Sequence, residues 1–302
     1  MKRFLFGITV FLVPIAVFFV ALEVMVHTIP NSYSYKYQFV KDNGKTIEAI
    51  SLGHSQLYDG FMPEVFKMAS FNLCNSSQTF KDDYYILSEL LPYLPNLKFV
   101  ILPIGYVNVK GCDDDGFSDR CTFYHEYMNI DYDNHLPIKM RYECCNPKRA
   151  FEKITSYYLH HIDIVGCDYV GRRNTHSLKE RKSSKVISNQ LPAYTLNTHD
   201  KSSMFLRGGQ YLIKIGCLLQ LKRIKLVLVS PPHYWSCFGS TNQEQKAFLQ
   251  EKISLYQKIF PFQYVDMEND GRFSDADFFD DAHLSEIGAE KFTKFLNDSI
   301  KI

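Results

Sequence analysis

Short apolar runs alternate along this chain with stretches in which apolar side chains return every three or four residues. The first pattern specifies buried strands and the second amphipathic helices. Strands are predicted over 47–52, 70–73, 98–103, 225–230 and 263–266, and helices over 81–91, 203–219, 243–260 and 285–299. In the helix over 243–260, Phe248, Leu249, Ile253, Tyr256 and Phe260 share one face, and Thr241 with Glu244 offers a capping box at its start. Strands that alternate with helices imply an α/β domain, with a central parallel sheet of about five strands covered by helices. In such a sheet, ligands sit beyond the carboxyl ends of the strands. That edge would carry Ser55, Asn75, Gly105 and Pro231-Pro232-His233.

Two segments break the rhythm. Lys2 and Arg3 precede an apolar run from residue 4 to residue 22 that Glu23 interrupts. A run of that length suffices to cross a bilayer, and Pro14 is tolerable within it. No small-x-small cleavage site follows before Pro30, so residues 1–30 are expected to be an uncleaved signal anchor, one N-terminal transmembrane helix. The positive-inside rule puts Met1 in the cytoplasm and residues 31–302 outside it. The second break, about 106–204, is too long for a plain loop in a compact domain and is expected to be an insertion or lid. Within it, 147–161 reads as a helix with Phe151, Ile154, Tyr157 and Tyr158 on one face.

Composition narrows the class. A chain of 302 residues with formal charge +1 has room for one sizeable core and lacks the concentrated basic face that nucleic acid requires. The run Lys179-Glu180-Arg181-Lys182-Ser183-Ser184-Lys185 reads as a solvated loop. Among the eight cysteines, Cys112 and Cys121 bracket a short loop that a disulfide can close, and Cys144, Cys145 and Cys167 offer a second bridge. Cys74 and Cys217 sit in apolar surroundings and read as buried thiols. No zinc-ligand spacing, P-loop or dinucleotide fingerprint is present, so no metal and no cofactor is expected. Twenty Tyr and twenty-four Phe are a high aromatic load, mostly for the core.

The candidate chemistry lies in two segments far apart in the chain. Ile50-Ser51-Leu52-Gly53-His54-Ser55-Gln56 puts a serine just after a sharp turn at the end of a strand. Asp280-Asp281-Ala282-His283 puts a carboxylate three residues before a histidine, on one side of a helical turn. A serine hydroxyl needs a base and the base needs an orienter. Ser55, His283 and Asp280 supply these roles, with Asp281 as the alternative orienter. His233 reads as a structural or exposed loop residue, His54 as pointing away from the cleft, His160 and His161 as helix-end residues, and Asp59 as a turn residue before Gly60.

These motifs resemble those of the SGNH/GDSL hydrolase superfamily, in particular its membrane-anchored bacterial branch of polysaccharide O-acetyltransferase-like proteins. Gly53-His54-Ser55 matches the nucleophile block, and Asp280 to His283, followed by Leu284 and Gly288-Ala289, matches the acid–base block. The resemblance covers about residues 32–302. It implies a flavodoxin-like three-layer sandwich and an inner-membrane protein whose domain faces the periplasm or extracytoplasmic space. It also implies a serine-dependent acyl-ester hydrolase or O-acyltransferase acting on an acylated, O-acetylated carbohydrate, with a partner in polysaccharide modification or export. The oxyanion blocks depart from the pattern. Asn72-Leu73-Cys74-Asn75-Ser76-Ser77 has no Gly, and Gly105-Tyr106-Val107-Asn108 is one residue too long. The Ser55 backbone, Asn75, Gly105 and Asn108 are the candidate oxyanion and substrate-binding groups. That departure motivates an alternative, a catalytically inactive binding or assembly protein for surface-polysaccharide export.

Overall fold

The computed structural model describes residues 1–105, 120–162, 165–173, 181, 204–234, 243–280 and 282–301, with backbone alone at 134, 204–208 and 243–245. The chain divides into two units. One comprises Lys36–Arg120 and Cys167–Ile302, the other Met1–Tyr35 and Cys121–Gly166.

The larger unit is built on five strands, β1 (Ala49–Ser51), β2 (Ser70–Asn72), β3 (Phe99–Pro103), β4 (Lys225–Ser230) and β5 (Gln263–Asp266). All pairings are parallel and the order is β2-β1-β3-β4-β5, the flavodoxin-like order anticipated above. All five expected strands are present, with β1 trimmed to three residues. Its register sets Ile50 between Phe71 and Val100, and every residue of β3 is buried. An unbroken apolar run such as Phe99-Val100-Ile101-Leu102 suits a central parallel strand, which has no solvent face on which to place alternating polar side chains.

Helices of this unit bury apolar faces and carry their own start signals. In α4 (Phe80–Leu90), Thr79 Oγ1 accepts the Asp82 N–H at 3.2 Å while the Asp82 carboxylate accepts the Thr79 N–H at 3.0 Å. This reciprocal capping box places Ile86, Leu87 and Leu90 in the core. The helix expected over 203–219 runs Met204–Lys222 (α7), and that over 243–260 ends at Gln257 (α8, Gln243–Gln257). Leu249, Ile253, Tyr256 and Phe260 are buried as their spacing requires, but Thr241 of the expected capping box lies outside the described residues. The C-terminal helix, α9 (Glu286–Ser299), is capped by Ser285, whose Oγ accepts the Gly288 N–H at 3.3 Å.

The short helix α3 (Ser55–Gly60) was not anticipated, because a six-residue element is too brief to show a period. It is held at its C-terminal end from two sides. Asn72 Nδ2 donates to the carbonyls of Leu57 (2.9 Å) and Phe61 (3.1 Å), and Thr293 Oγ1 of α9 accepts the Met62 N–H at 3.0 Å. A loop between two strands is thereby fixed to the sheet and to the last helix.

In the smaller unit, α1 (Lys2–His27) is a single helix containing Pro14, long and apolar enough to cross a membrane. Leu22 and Val26 are its buried side chains, and with Ile29 just beyond its end they form a core cluster with Ala150 and Ile154. The predicted helix over 147–161 is α-helical at Pro147–Ile154 (α6), with Pro147 at its first turn and Asn146 capping the Arg149 N–H at 3.2 Å. A π-helical turn, Thr155–Leu159, follows. Two further helices lacked a clear period in sequence, α5 (Cys121–Met128) in this unit and α2 (Ser32–Asn43), whose residues from Lys36 on belong to the larger one. Inside this unit Glu143 is fully buried, ion-paired with Lys153 Nζ at 2.7 Å and bonded by the Tyr127 hydroxyl.

Cys74, Cys144, Cys145 and Cys217 are free thiols, so of the two readings open to Cys144, Cys145 and Cys167, a bridge or free thiols, the bridge is not formed. Cys74 is buried as expected, but Cys217 is exposed because it lies off the apolar face of α7. Cys112 lies outside the described residues. Arg181, from the basic run, is mostly shielded and pairs with Asp275 at 2.8 Å.

Candidate active site

Ser55 stands where β1 gives way to α3, and Gly53 makes that turn possible. Its φ of +111° is one that residues with a Cβ avoid, and a Cβ there would meet Pro103 Cδ at 2.3 Å. His54 caps α3 rather than pointing away, with Nδ1 accepting the Gln56 N–H at 3.4 Å. Ser55 becomes the first helical residue and has no acceptor for its N–H within the helix. The buried carboxyl of Asp83 in α4 accepts the Gly53 N–H, and the Asn75 N–H donates to the Gly53 carbonyl at 3.2 Å. The serine turn is therefore tied down by the segment after β2 and by α4.

Ser55 and His283 meet. The Ser55 hydroxyl donates to His283 Nε2 at 2.8 Å, and His283 Nδ1 donates to both oxygens of Asp280 at 2.9 Å. The Asp280–His283 segment is a turn rather than the helical turn expected. Asp280 Oδ1 accepts the N–H groups of Ala282 (2.9 Å) and His283 (2.8 Å), so the carboxylate builds the loop that presents its own histidine. An i, i+3 spacing serves either geometry, which is why the two residues were found although the backbone was misread. Asp281 lies outside the described residues.

The electrostatics suit a base that accepts a proton. Burial disfavours the imidazolium of His283, but the hydrogen bond and charge of Asp280, with help from Asp59, outweigh it and raise its pKa above the usual 6.5. Burial alone would raise Asp280, yet its bonds to His283 and to two backbone N–H groups hold it below the ordinary carboxylate range. With Asp280 ionised on Nδ1, the neutral ring has its lone pair on Nε2, facing the serine.

A second carboxylate was missed. Asp59, read from sequence as a turn residue, lies four residues after Ser55 on α3, so both project from the same side. It is buried, with Oδ2 3.9 Å from His283 Nε2 and Oδ1 2.9 Å from Arg173 Nε. Burial pushes its pKa up to about 6 against the opposing charges of Arg173, His283 and Arg172. Arg173 also donates to Ser76 Oγ at 2.6 Å, and its guanidinium lies over the Tyr58 ring. The i, i+4 spacing was a signal available for Asp59; Arg173, in a segment without periodicity, left none.

His233 belongs to the same edge, with Nε2 2.6 Å from Gln56 Nε2. Burial and the charge of His283 push its pKa down to about 4, so it is neutral at pH 7 and accepts the amide N–H. Asn75 is buried beside the serine turn with its side chain engaged: Oδ1 accepts from Lys36 Nζ at 3.3 Å and Nδ2 donates to Gln78 at 3.2 Å. Lys36 also bonds the Cys74 carbonyl, and its own burial lowers its pKa to about 8. Gly105 follows β3 at the carboxyl edge, next to Ile104, whose carbonyl is held by Ser230 Oγ at 2.8 Å. Asn108 lies outside the described residues.

Among the described residues, one group has metal-ligand composition, Glu23, His27 and Glu126 of the smaller unit. Its members already serve one another and the backbone: Glu23 accepts from Glu143 and Cys144 N–H, and His27 pairs with Glu126.

No protein-family profile and no curated protein matches the sequence. Two solved structures are similar in outline. A protein provisionally described as an acylhydrolase, from Bacteroides fragilis, shares 12% identity over 86% of this chain and 94% of its own, with a TM-score of 0.38. Another, provisionally described as a platelet activating factor, from Streptococcus pneumonia, shares 10% over 96% and 98%, with a TM-score of 0.42. Likeness at this level does not carry chemistry from one protein to another, and the functional reading rests on the side chains themselves.

Proposed function

We propose that this chain is a serine-dependent acyl-ester hydrolase or O-acyltransferase, anchored in a membrane by α1. The observation that carries the reading is the 2.8 Å contact between Ser55 Oγ and His283 Nε2, in a ring whose other nitrogen is bonded to Asp280. In the first step Ser55 Oγ bonds to the ester carbonyl carbon while its proton passes to His283 Nε2. The tetrahedral adduct collapses, the C–O bond to the alcohol breaks, and His283 returns the proton to the leaving oxygen. A second nucleophile then attacks the acyl-serine, losing its proton to His283, and as the acyl C–O bond to Ser55 breaks His283 returns that proton to Ser55 Oγ. With water the product is an acid, and with a sugar hydroxyl it is a new ester. The Ser55 N–H, in the turn that the Asn75 N–H ties down at Gly53, is the donor group we assign to the oxyanion.

The substrate class we propose is an O-acetylated extracytoplasmic polysaccharide, following the resemblance of the two sequence blocks. Lys2 and Arg3 on the cytoplasmic side would leave residues 31–302 on that face. The test treats the full chain and its Ser55→Ala variant with a fluorophosphonate probe, then with an aryl acetate and an O-acetylated polysaccharide. Labelling and acetate release are expected from the wild type alone. Equal labelling of both proteins would remove Ser55 from the mechanism, and no reaction from either would favour the assembly-protein alternative, for which the engaged side chain of Asn75 already speaks.

A further inference from the structure

We infer that residues 138–162 of the smaller unit form a collar that lies in the headgroup region of the same bilayer that α1 crosses. This rests on the anchor reading of α1 and is independent of the proposed chemistry. Residues 4–22 span about 28 Å at 1.5 Å per residue, close to the ~30 Å hydrocarbon thickness, so the span ends where Glu23 begins. Three contacts fix the collar at that height. The Glu23 carboxylate accepts the N–H groups of Glu143 (3.2 Å) and Cys144 (2.7 Å). Leu22 and Val26 pack on Ala150 and Ile154 of α6. The Tyr158 hydroxyl bonds Thr28 Oγ1 at 2.6 Å and lies 3.5 Å from the Met25 carbonyl.

At this height the collar turns apolar side chains outward. Ile138, Tyr142, Phe151, Tyr158, Leu159 and Ile162 are all exposed, Phe151 by 60% and Leu159 by 68%. On a water-facing surface such a set is costly. Here it continues the lipid-facing surface of α1, where Val24 and Met25 are exposed one turn away. The occupant is therefore lipid rather than a protein partner. Lys139, Arg141 and Lys148 stand among these residues. Mixed aromatic, aliphatic and basic side chains are what an interfacial segment presents, with apolar groups entering the acyl boundary and ammonium groups reaching the phosphates. Glu23, costly if exposed to lipid, is accounted for as the group that fastens the collar to the span.

The test uses the full chain in vesicles of phosphatidylcholine and phosphatidylglycerol (3:1), with Trp235→Phe removing the native tryptophan. Phe151→Trp and Leu159→Trp each introduce one fluorophore at an exposed position, and Val13→Trp marks the middle of α1. Phosphatidylcholine brominated near the headgroup (6,7) or deep in the acyl chain (11,12) is the quencher. Both collar tryptophans are expected to lose at least half their emission to the shallow bromines and less to the deep ones, with the reverse order for Val13→Trp. Quenching of Val13→Trp without quenching at 151 and 159 would overturn the collar and leave the anchor intact. A blue-shifted but unquenched collar tryptophan would mean that protein covers the face, and would overturn it too. Absence of quenching at all three positions would overturn the anchor and the collar together.

Discussion

Asp59 Oδ2 lies 3.9 Å from Nε2 of His283, at the ring nitrogen that Asp280 does not hold. The imidazole therefore sits between two carboxylates, one bonded to it and one near its reactive edge. Both favour the imidazolium, and the pKa of His283 is raised accordingly. Because a base must be unprotonated to accept the Ser55 proton, activity is expected to rise with pH through that raised pKa, above 6.5. Asp59→Asn removes one of the two charges, so the acid limb of the kcat/KM profile is expected to move to lower pH. Ester turnover measured from pH 5 to 9 checks this; an unmoved limb would mean that Asp59 and His283 do not communicate.

Asp280→Asn isolates the orienting charge. An amide oxygen can still accept the N–H groups of Ala282 and His283, so the turn is expected to persist. What is lost is the tautomer: the amide N–H can face Nδ1 and leave the Nε2 lone pair unavailable. By the precedent of buried triad carboxylates, kcat is expected to fall on the order of 10⁴-fold with little change in melting temperature.

Gly53→Ala probes the serine turn from the backbone. The substitution places a methyl 2.3 Å from Pro103 Cδ at a φ of +111°. Strain and overpacking together are expected to cost about 2 to 4 kcal/mol by denaturant unfolding. Probe labelling should fall as well, although Ser55, His283 and Asp280 are all still present.

His233 gives an acid limb to stability rather than to rate. Its pKa is about 4 in the fold against 6.5 in the unfolded chain, so the unfolded state binds the extra proton in between. Stability is complete above pH 6.5 and falls as pH drops toward 4, by on the order of 2 to 3 kcal/mol. His233→Gln, which keeps a partner for Gln56, is expected to flatten melting temperature across that window.

What could be seen in the sequence followed from period and proximity. β3, β4 and α8 announced themselves because buried faces impose a repeat on neighbouring residues. Ser55, Asp280 and His283, which the structure brings into contact, could be singled out because each flanks such an element and the carboxylate stands three residues before the imidazole. Asp59 was hidden by the brevity of α3, and Arg173 and Lys36 by distance along the chain, since a long-range pairing leaves no mark on local composition. The Asp280 loop shows a different limit. One spacing served two backbones, and only the hydrogen bonds of Ala282 and His283 to the carboxylate separated them.

The bond from Glu23 to Glu143 and Cys144 also constrains how the protein is made. Its partners are encoded some 120 residues downstream, which at 5 to 20 residues per second means that roughly 6 to 24 s of synthesis separate the acceptor from its donors. Through that interval the carboxylate near the C-terminal end of α1 is without these two donors. Closure of the smaller unit around Glu23 therefore waits on residues 143 and 144, although α1 is the first helix made.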